Sequence, residues 1–165
     1  MAIHDIDIAR FLMGCEAVEV TAFGGCMVDP KIGTEGGDID TALTVLKFEN
    51  GAMGTIDNCR KSPVGYDQRV EVFGSEGQVS FANKHDNELT ISDGTSVRRD
   101  KPYSFFMDRY MDAYRNETLE FVDAIVNDTA PPTSARDGKA AMVIAKAAKL
   151  SLVEGRPVKI SEIVA

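Results

Sequence analysis

The chain has 165 residues, 44% of them hydrophobic and 27% charged, with a formal charge of −8, a composition and length that suit a single soluble domain. A pI near 4.8 argues against a nucleic-acid partner, which would require a basic face, and no apolar run approaches the roughly 18 residues of a membrane span. Cys15, Cys26 and Cys59 are odd in number and lack CxxC spacing, so reduced thiols are expected rather than a disulfide frame or a zinc site; with no basic-then-apolar leader at the start, the expected location is the cytoplasm.

In chain order, Ile3, Ile8, Phe11 and Leu12 carry a helical spacing that Gly14 ends. From Ala17 to Val28 the pattern alternates as a strand does. A glycine-rich loop over Asp29–Asp38 leads into a strand from Ile39 to Phe48. Glu49-Asn50-Gly51 turns it back through Ala52–Arg60. After a loop holding Pro63 and Gly65, Arg69–Phe73 alternates cleanly and returns from Gln78 to Phe81. Leu89–Ser92 and Thr95–Arg98 flank Asp93-Gly94, a two-residue hairpin signal. Beyond Pro102 the period becomes helical. Phe106, Tyr110, Tyr114, Phe121 and Ile125 form a stripe that reads as core packing on a sheet. Pro131-Pro132 breaks this helix, an alanine-rich helix runs from Ser134–Asp137 to Val153 and stops at Gly155, and Pro157–Ile160 is a last strand. Strands and helices thus come in blocks, which predicts one α+β domain over residues 1–165, an open, mostly antiparallel sheet with helices packed on one face.

The sheet's other face bears on assembly. Ile39–Phe48 is apolar on both sides, Leu43 and Val45 on one, Leu46 and Phe48 on the other, which suits a strand covered twice. Large exposed apolar faces are unusual in monomers, so a homo-oligomer through that face is expected.

One residue stands out chemically. His4 is one of two histidines, and in a helix it shares a face with Asp7, Ile8 and Phe11. An imidazole beside a carboxylate suits proton transfer near neutral pH; the plain alternatives are a solvated histidine near a frayed end and an aspartate favoured by the helix dipole. His4, Asp5 and Asp7 do not make a metal site, because Asp5 points away and too few ligands remain. His85 reads as a turn residue. The chain has no GxGxxG and no GxxxxGK[ST], and therefore no usual cradle for a pyrophosphate.

Several ordered motifs together resemble one family. They are Ala2-Ile3-His4-Asp5 with Asp7 and Arg10-Phe11-Leu12; Gly37-Asp38-Ile39-Asp40-Thr41-Ala42; Leu46–Ala52; Asn58-Cys59-Arg60; Gly65-Tyr66-Asp67-Gln68-Arg69 through Gly74; Arg109-Tyr110 with Ala113, Tyr114 and Glu117; and Asp137-Gly138 with Ala147, Ala148 and Ser151. Across nearly the whole length the chain resembles the C-terminal domain of the Gfo/Idh/MocA oxidoreductases, most of all their inositol-oxidising branch. The resemblance implies a glyceraldehyde-3-phosphate-dehydrogenase-like sheet domain forming a substrate wall, with NAD held by an N-terminal Rossmann domain outside this chain. It implies that His4 is the general base that takes a ring-hydroxyl proton as a cyclic polyol or sugar becomes a ketone. It implies that Asp7 binds a ring hydroxyl and Tyr66 covers the polyol; Val64 stands where the inositol branch commonly has a second tyrosine. The lysine and aspartate that accompany this histidine in the family fall outside these 165 residues. No cofactor or metal is then expected on the chain itself, and the isolated chain is expected to be inactive. The alternative function is a standalone, non-catalytic interaction module of the same fold.

Overall fold

In the computed structural model, which describes residues 2–163, the chain divides into two compact units. Met1–Lys61 and Thr133–Ala165 make the first, and Ser62–Pro132, inserted between them in sequence, makes the second. The architecture is α+β, as the pattern predicts.

The first unit holds helix α1 (Ile3–Met13), strand β1 (Ala17–Gly25), a short helix α2 (Pro30–Thr34), strands β2 (Thr41–Phe48) and β3 (Met53–Cys59), helix α4 (Ala135–Glu154) and strand β8 (Val158–Lys159). The strands form one antiparallel sheet in the order β3-β2-β1-β8. Its register sets Val20 opposite Leu46 and Leu46 opposite Gly54. The side chains of Val20, Leu46, Phe48 and Val158 therefore project to one face, where Ile6 of α1 and Ala141, Ile144 and Ala147 of α4 complete a single buried cluster. Each large side chain fully buried there contributes about 1.5–3 kcal/mol. The small alanines let α4 lie close on the sheet. The opposite face leaves Phe23, Leu43 and Met53 exposed.

Three boundaries differ from the sequence expectation, each for a local reason. β1 stops at Gly25 instead of reaching Val28, because the N–H groups of Met27, Val28 and Asp29 donate to the buried carboxylate of Asp40 rather than to a strand. The same turn-in delays β2 from Ile39 to Thr41. The glycine-rich loop contains α2, which starts on Pro30 behind Asp29, whose side chain accepts from the Lys31 N–H. Burial opposes ionisation of Asp40, yet the three backbone donors and the Thr41 hydroxyl outweigh it and hold the carboxyl at about 2.

α4 shows how its sequence sets its ends. At the start, the Asp137 carboxylate accepts from the N–H and the hydroxyl of Ser134. At the other end, Gly155 closes the helix. β8 pairs only with Glu19 and Val20, so the next inward-facing N–H of β1, at Ala22, lacks a strand partner on that side. The buried Ser151 of α4 supplies one: its Oγ accepts from Ala22 at 3.0 Å, and its hydroxyl donates to Arg156 O at 2.6 Å.

The second unit holds strands β4 (Val70–Gly74) and β5 (Gly77–Phe81), strands β6 (Thr90–Ser92) and β7 (Val97–Arg99), and helix α3 (Phe106–Val126). Its strands make two separate antiparallel hairpins, β4–β5 and β6–β7. The β6–β7 loop is four residues long, not two. Asp93 Oδ1 captures the N–H groups of Thr95 and Ser96 and removes them from the ladder. The stripe on α3 also departs from expectation. Phe106, Tyr114, Phe121 and Ile125 are exposed, and only Arg109 and Ala124 of the helix are buried. Two hairpins of three to five residues per strand are too narrow to cover six turns of helix.

Candidate functional site

α1 carries the proposed proton-transfer face. Its first turn has Asp5, its last turn Arg10, and Gly14 ends it in the left-handed conformation at φ 64°. Ile6 is the residue buried against the core. His4, two positions earlier, is turned about 200° from it and is exposed. Its ring takes no hydrogen bond from the described residues. Asp7 lies one turn on, on the same side of the helix.

Asp7 is held. Arg10 Nη1 donates to its Oδ1 at 2.7 Å, while Arg10 Nε and Nη2 grip both oxygens of Glu16 at 2.7 and 2.6 Å. The same guanidinium reaches Asp137 at the start of α4, through the main-chain oxygen at 3.4 Å and Oδ1 at 3.5 Å. The Glu16 hydrogen bonds are the largest influence raising Arg10 far above its ordinary range, and they hold Glu16 below its own. Asp7 thus has a structural partner on one oxygen. Its other oxygen, Oδ2, accepts nothing from the described residues and remains able to take a ligand hydroxyl. The carboxylate beside His4 in sequence, Asp5, accepts from Asn58 Nδ2 of β3 at 3.0 Å, which ties the first turn of α1 to the sheet.

Tyr66 belongs to the second unit. Its N–H donates to Tyr103 O at 2.6 Å, and its ring meets the Tyr110 ring edge-on, with centroids 5.8 Å apart. Gly65 precedes it at φ 130°, where an added Cβ would lie 2.7 Å from Pro102 O; only glycine fits there. Asp67 accepts from Arg69 and from Asn83, which in turn receives the Gln68 N–H. The chain on both sides of Tyr66 is therefore pinned.

Two residues of these surroundings escaped prediction. Asn58 occupies a core-facing place on β3, with Gly54 and Ile56, whereas Met53, Thr55, Asp57 and Cys59 are exposed. A polar side chain on the buried parity of a strand is the signal that would have found it. Arg109 is the second. It is only 8% exposed, a cation inside an otherwise apolar helix stripe. His85 is a turn residue as expected, its Nδ1 2.8 Å from Asp100 O.

Gly36 and Gly37 lead into strand β2 and not into a helix N-terminus, and a pyrophosphate cradle needs that terminus. Among the described residues no three His, Cys, Asp or Glu side chains gather as metal ligands, and no helix is long and apolar enough to cross a membrane.

Comparison with known proteins supplies the context. Residues 1–160 match the oxidoreductase family, C-terminal alpha/beta domain of Gfo/Idh/MocA type. The myo-inositol 2-dehydrogenase of Thermotoga maritima is 43% identical over 164 residues, covering 99% of this chain and 49% of that protein. The crystal structure of a probable dehydrogenase from Thermotoga maritima superposes with a TM-score of 0.96 at 43% identity, over 99% of this chain and 49% of that one. The scyllo-inositol dehydrogenase of Lactobacillus casei, solved with NAD(H) and scyllo-inositol bound, matches with a TM-score of 0.86 at 25% identity, over 98% of this chain and 47% of that one. The chain spans about half the length of the curated relatives it matches.

Proposed function

Because the chain belongs to the Gfo/Idh/MocA oxidoreductase family, as its C-terminal alpha/beta domain, we propose that it is the substrate-binding and assembly part of an NAD-dependent inositol 2-dehydrogenase. The observation that carries this reading is an exposed histidine, His4, on the first turn of α1, with a carboxylate one turn on, in a chain matched almost end to end by inositol dehydrogenases. His4 accepts the proton of a ring hydroxyl on its neutral imidazole. Asp7 receives a neighbouring hydroxyl on Oδ2, while Arg10 fixes the carboxylate's rotamer through Oδ1. Tyr66 lies against the polyol. NAD, bound by residues other than these, would supply the hydride acceptor.

The test is kinetic. In the full dehydrogenase carrying this chain, His4→Ala should lower kcat for myo-inositol by about 10²–10⁴-fold, the usual worth of a general base, with NAD affinity within twofold. A variant that keeps more than a tenth of its turnover would remove His4 from the reaction. The 165-residue chain alone should form no NADH from myo-inositol and NAD; NADH formation by the purified chain would overturn that part of the reading.

Assembly uses the open face of the sheet, where Phe23, Leu43 and Met53 stand exposed. Sedimentation should show an oligomer that Leu43→Glu dissociates. A monomer at micromolar concentration would count against this face.

A further inference from the structure

We propose that Arg109 is a positioning residue for Tyr66, holding by its guanidinium the loop from which Tyr66 contacts the polyol; the proposal rests on the substrate role read for Tyr66. Arg109 sits in the first turn and a half of α3 and is nine-tenths buried, yet among the described residues no carboxylate pairs with it. Its Nη2 donates to two main-chain oxygens, Gln68 O at 3.3 Å and Ala82 O at 3.5 Å. These lie just outside the two ends of the β4–β5 hairpin, so one side chain clamps both arms of the hairpin to the helix. Gln68 is two residues from Tyr66. The guanidinium carbon also stands 5.7 Å from the centre of the Tyr110 ring and 5.8 Å from that of Phe81, and Tyr110 is the ring that Tyr66 meets edge-on. Arg109 therefore reaches Tyr66 by two routes, through the Gln68 main chain and through the Tyr110 ring.

The burial makes this more than packing. Arg109 Nε and Nη1 are buried and have no hydrogen-bond partner among the described residues. A buried cation without a counter-charge is costly, and replacing such a group by an apolar side chain of similar length is commonly neutral or stabilising. A purely structural residue here would serve better as methionine. What methionine cannot do is donate to Gln68 O and Ala82 O and sit as a cation against Tyr110. Stability and positioning are thus expected to move in opposite directions.

The experiment uses Arg109→Met, Tyr66→Ala and the double variant in the full dehydrogenase, assayed with NAD and myo-inositol, together with amide hydrogen exchange. Arg109→Met should keep or raise the melting temperature. It should speed exchange of the Tyr66 amide about tenfold, the worth of one charge-assisted hydrogen bond, with amides of α4 unchanged. KM for myo-inositol should rise about tenfold with kcat nearly constant, the mark of lost ground-state binding. The double variant should have the KM of Tyr66→Ala alone, since the two residues act as a unit. Additive effects on KM, or an unchanged Tyr66 amide, would overturn the positioning role while leaving Tyr66 as a substrate contact. An unchanged KM in Tyr66→Ala would instead overturn the substrate role of Tyr66, and this proposal with it.

Discussion

The two units divide the molecule's apolar residues very unequally. In the first, Val20, Leu46, Phe48, Ile144 and Val158 are almost wholly sequestered between one sheet and two helices. In the second, Phe73, Val79, Phe121, Ile125 and Val126 face solvent, Phe73 being 84% exposed. Composition does not cause the difference, because both units have amphipathic elements. The first has a four-stranded sheet wide enough for α1 and α4 to lie on, whereas the second offers only two-stranded hairpins. An amphipathic pattern establishes that a face wants covering; the width of the neighbouring layer decides whether it is covered within the chain.

Substitutions can break or sharpen this contrast. Leu46→Ala opens a cavity in the core of the first unit and should cost about 2–5 kcal/mol by urea denaturation; a loss below 1 kcal/mol would mean that this core is looser than its burial implies. Ser151→Ala removes the acceptor from the Ala22 N–H and the donor to Arg156 O and should cost about 1–3 kcal/mol, the penalty of stranded buried polar groups. Acid titration tests Asp40. Its carboxyl is held at about 2 against an ordinary 3.8, so its contribution is complete above a pH of about 4 and is lost as the pH falls toward 2. Asp40→Asn should flatten that limb of the stability curve while weakening the fold at neutral pH. Smallest is Phe121→Ala on α3, which should change the stability of the 165-residue chain by no more than about 0.5 kcal/mol. A large loss there would show the stripe to be covered after all.

Much of this was legible in the residues. Gly14 and Gly155 end their helices, Asn50-Gly51 turns its hairpin, and the blocks of strands and helices pointed to the α+β class. The missed strand ends around β1–β2 and β6–β7 share one cause. Asp40 and Asp93 each gather backbone N–H groups on a side-chain carboxylate, and periodicity does not register a carboxylate that competes with the ladder. The site divides the same way. His4 and Asp7 could be paired on one face because three-residue spacing fixes helical neighbours. Asn58 under Asp5 and Arg109 behind Tyr66 could not, since each contact joins residues more than forty positions apart or passes through an intermediate ring.

The insertion of residues 62–132 into the first unit has a consequence for how the chain reaches its native state. Every contact that completes the first unit (Arg10 with Asp137, Ala22 with Ser151, β1 with β8) must close a loop that contains the whole second unit. The entropy of such closure grows only logarithmically, about 0.6 kcal/mol per doubling of length, so the insertion weighs little on stability. It weighs more on rate, because non-local pairing must wait for distant segments to meet. Docking of helix α4 and strand β8 thus carries the longest closure in the first unit, and a short linker in place of 62–132 should speed that docking more than it strengthens the result.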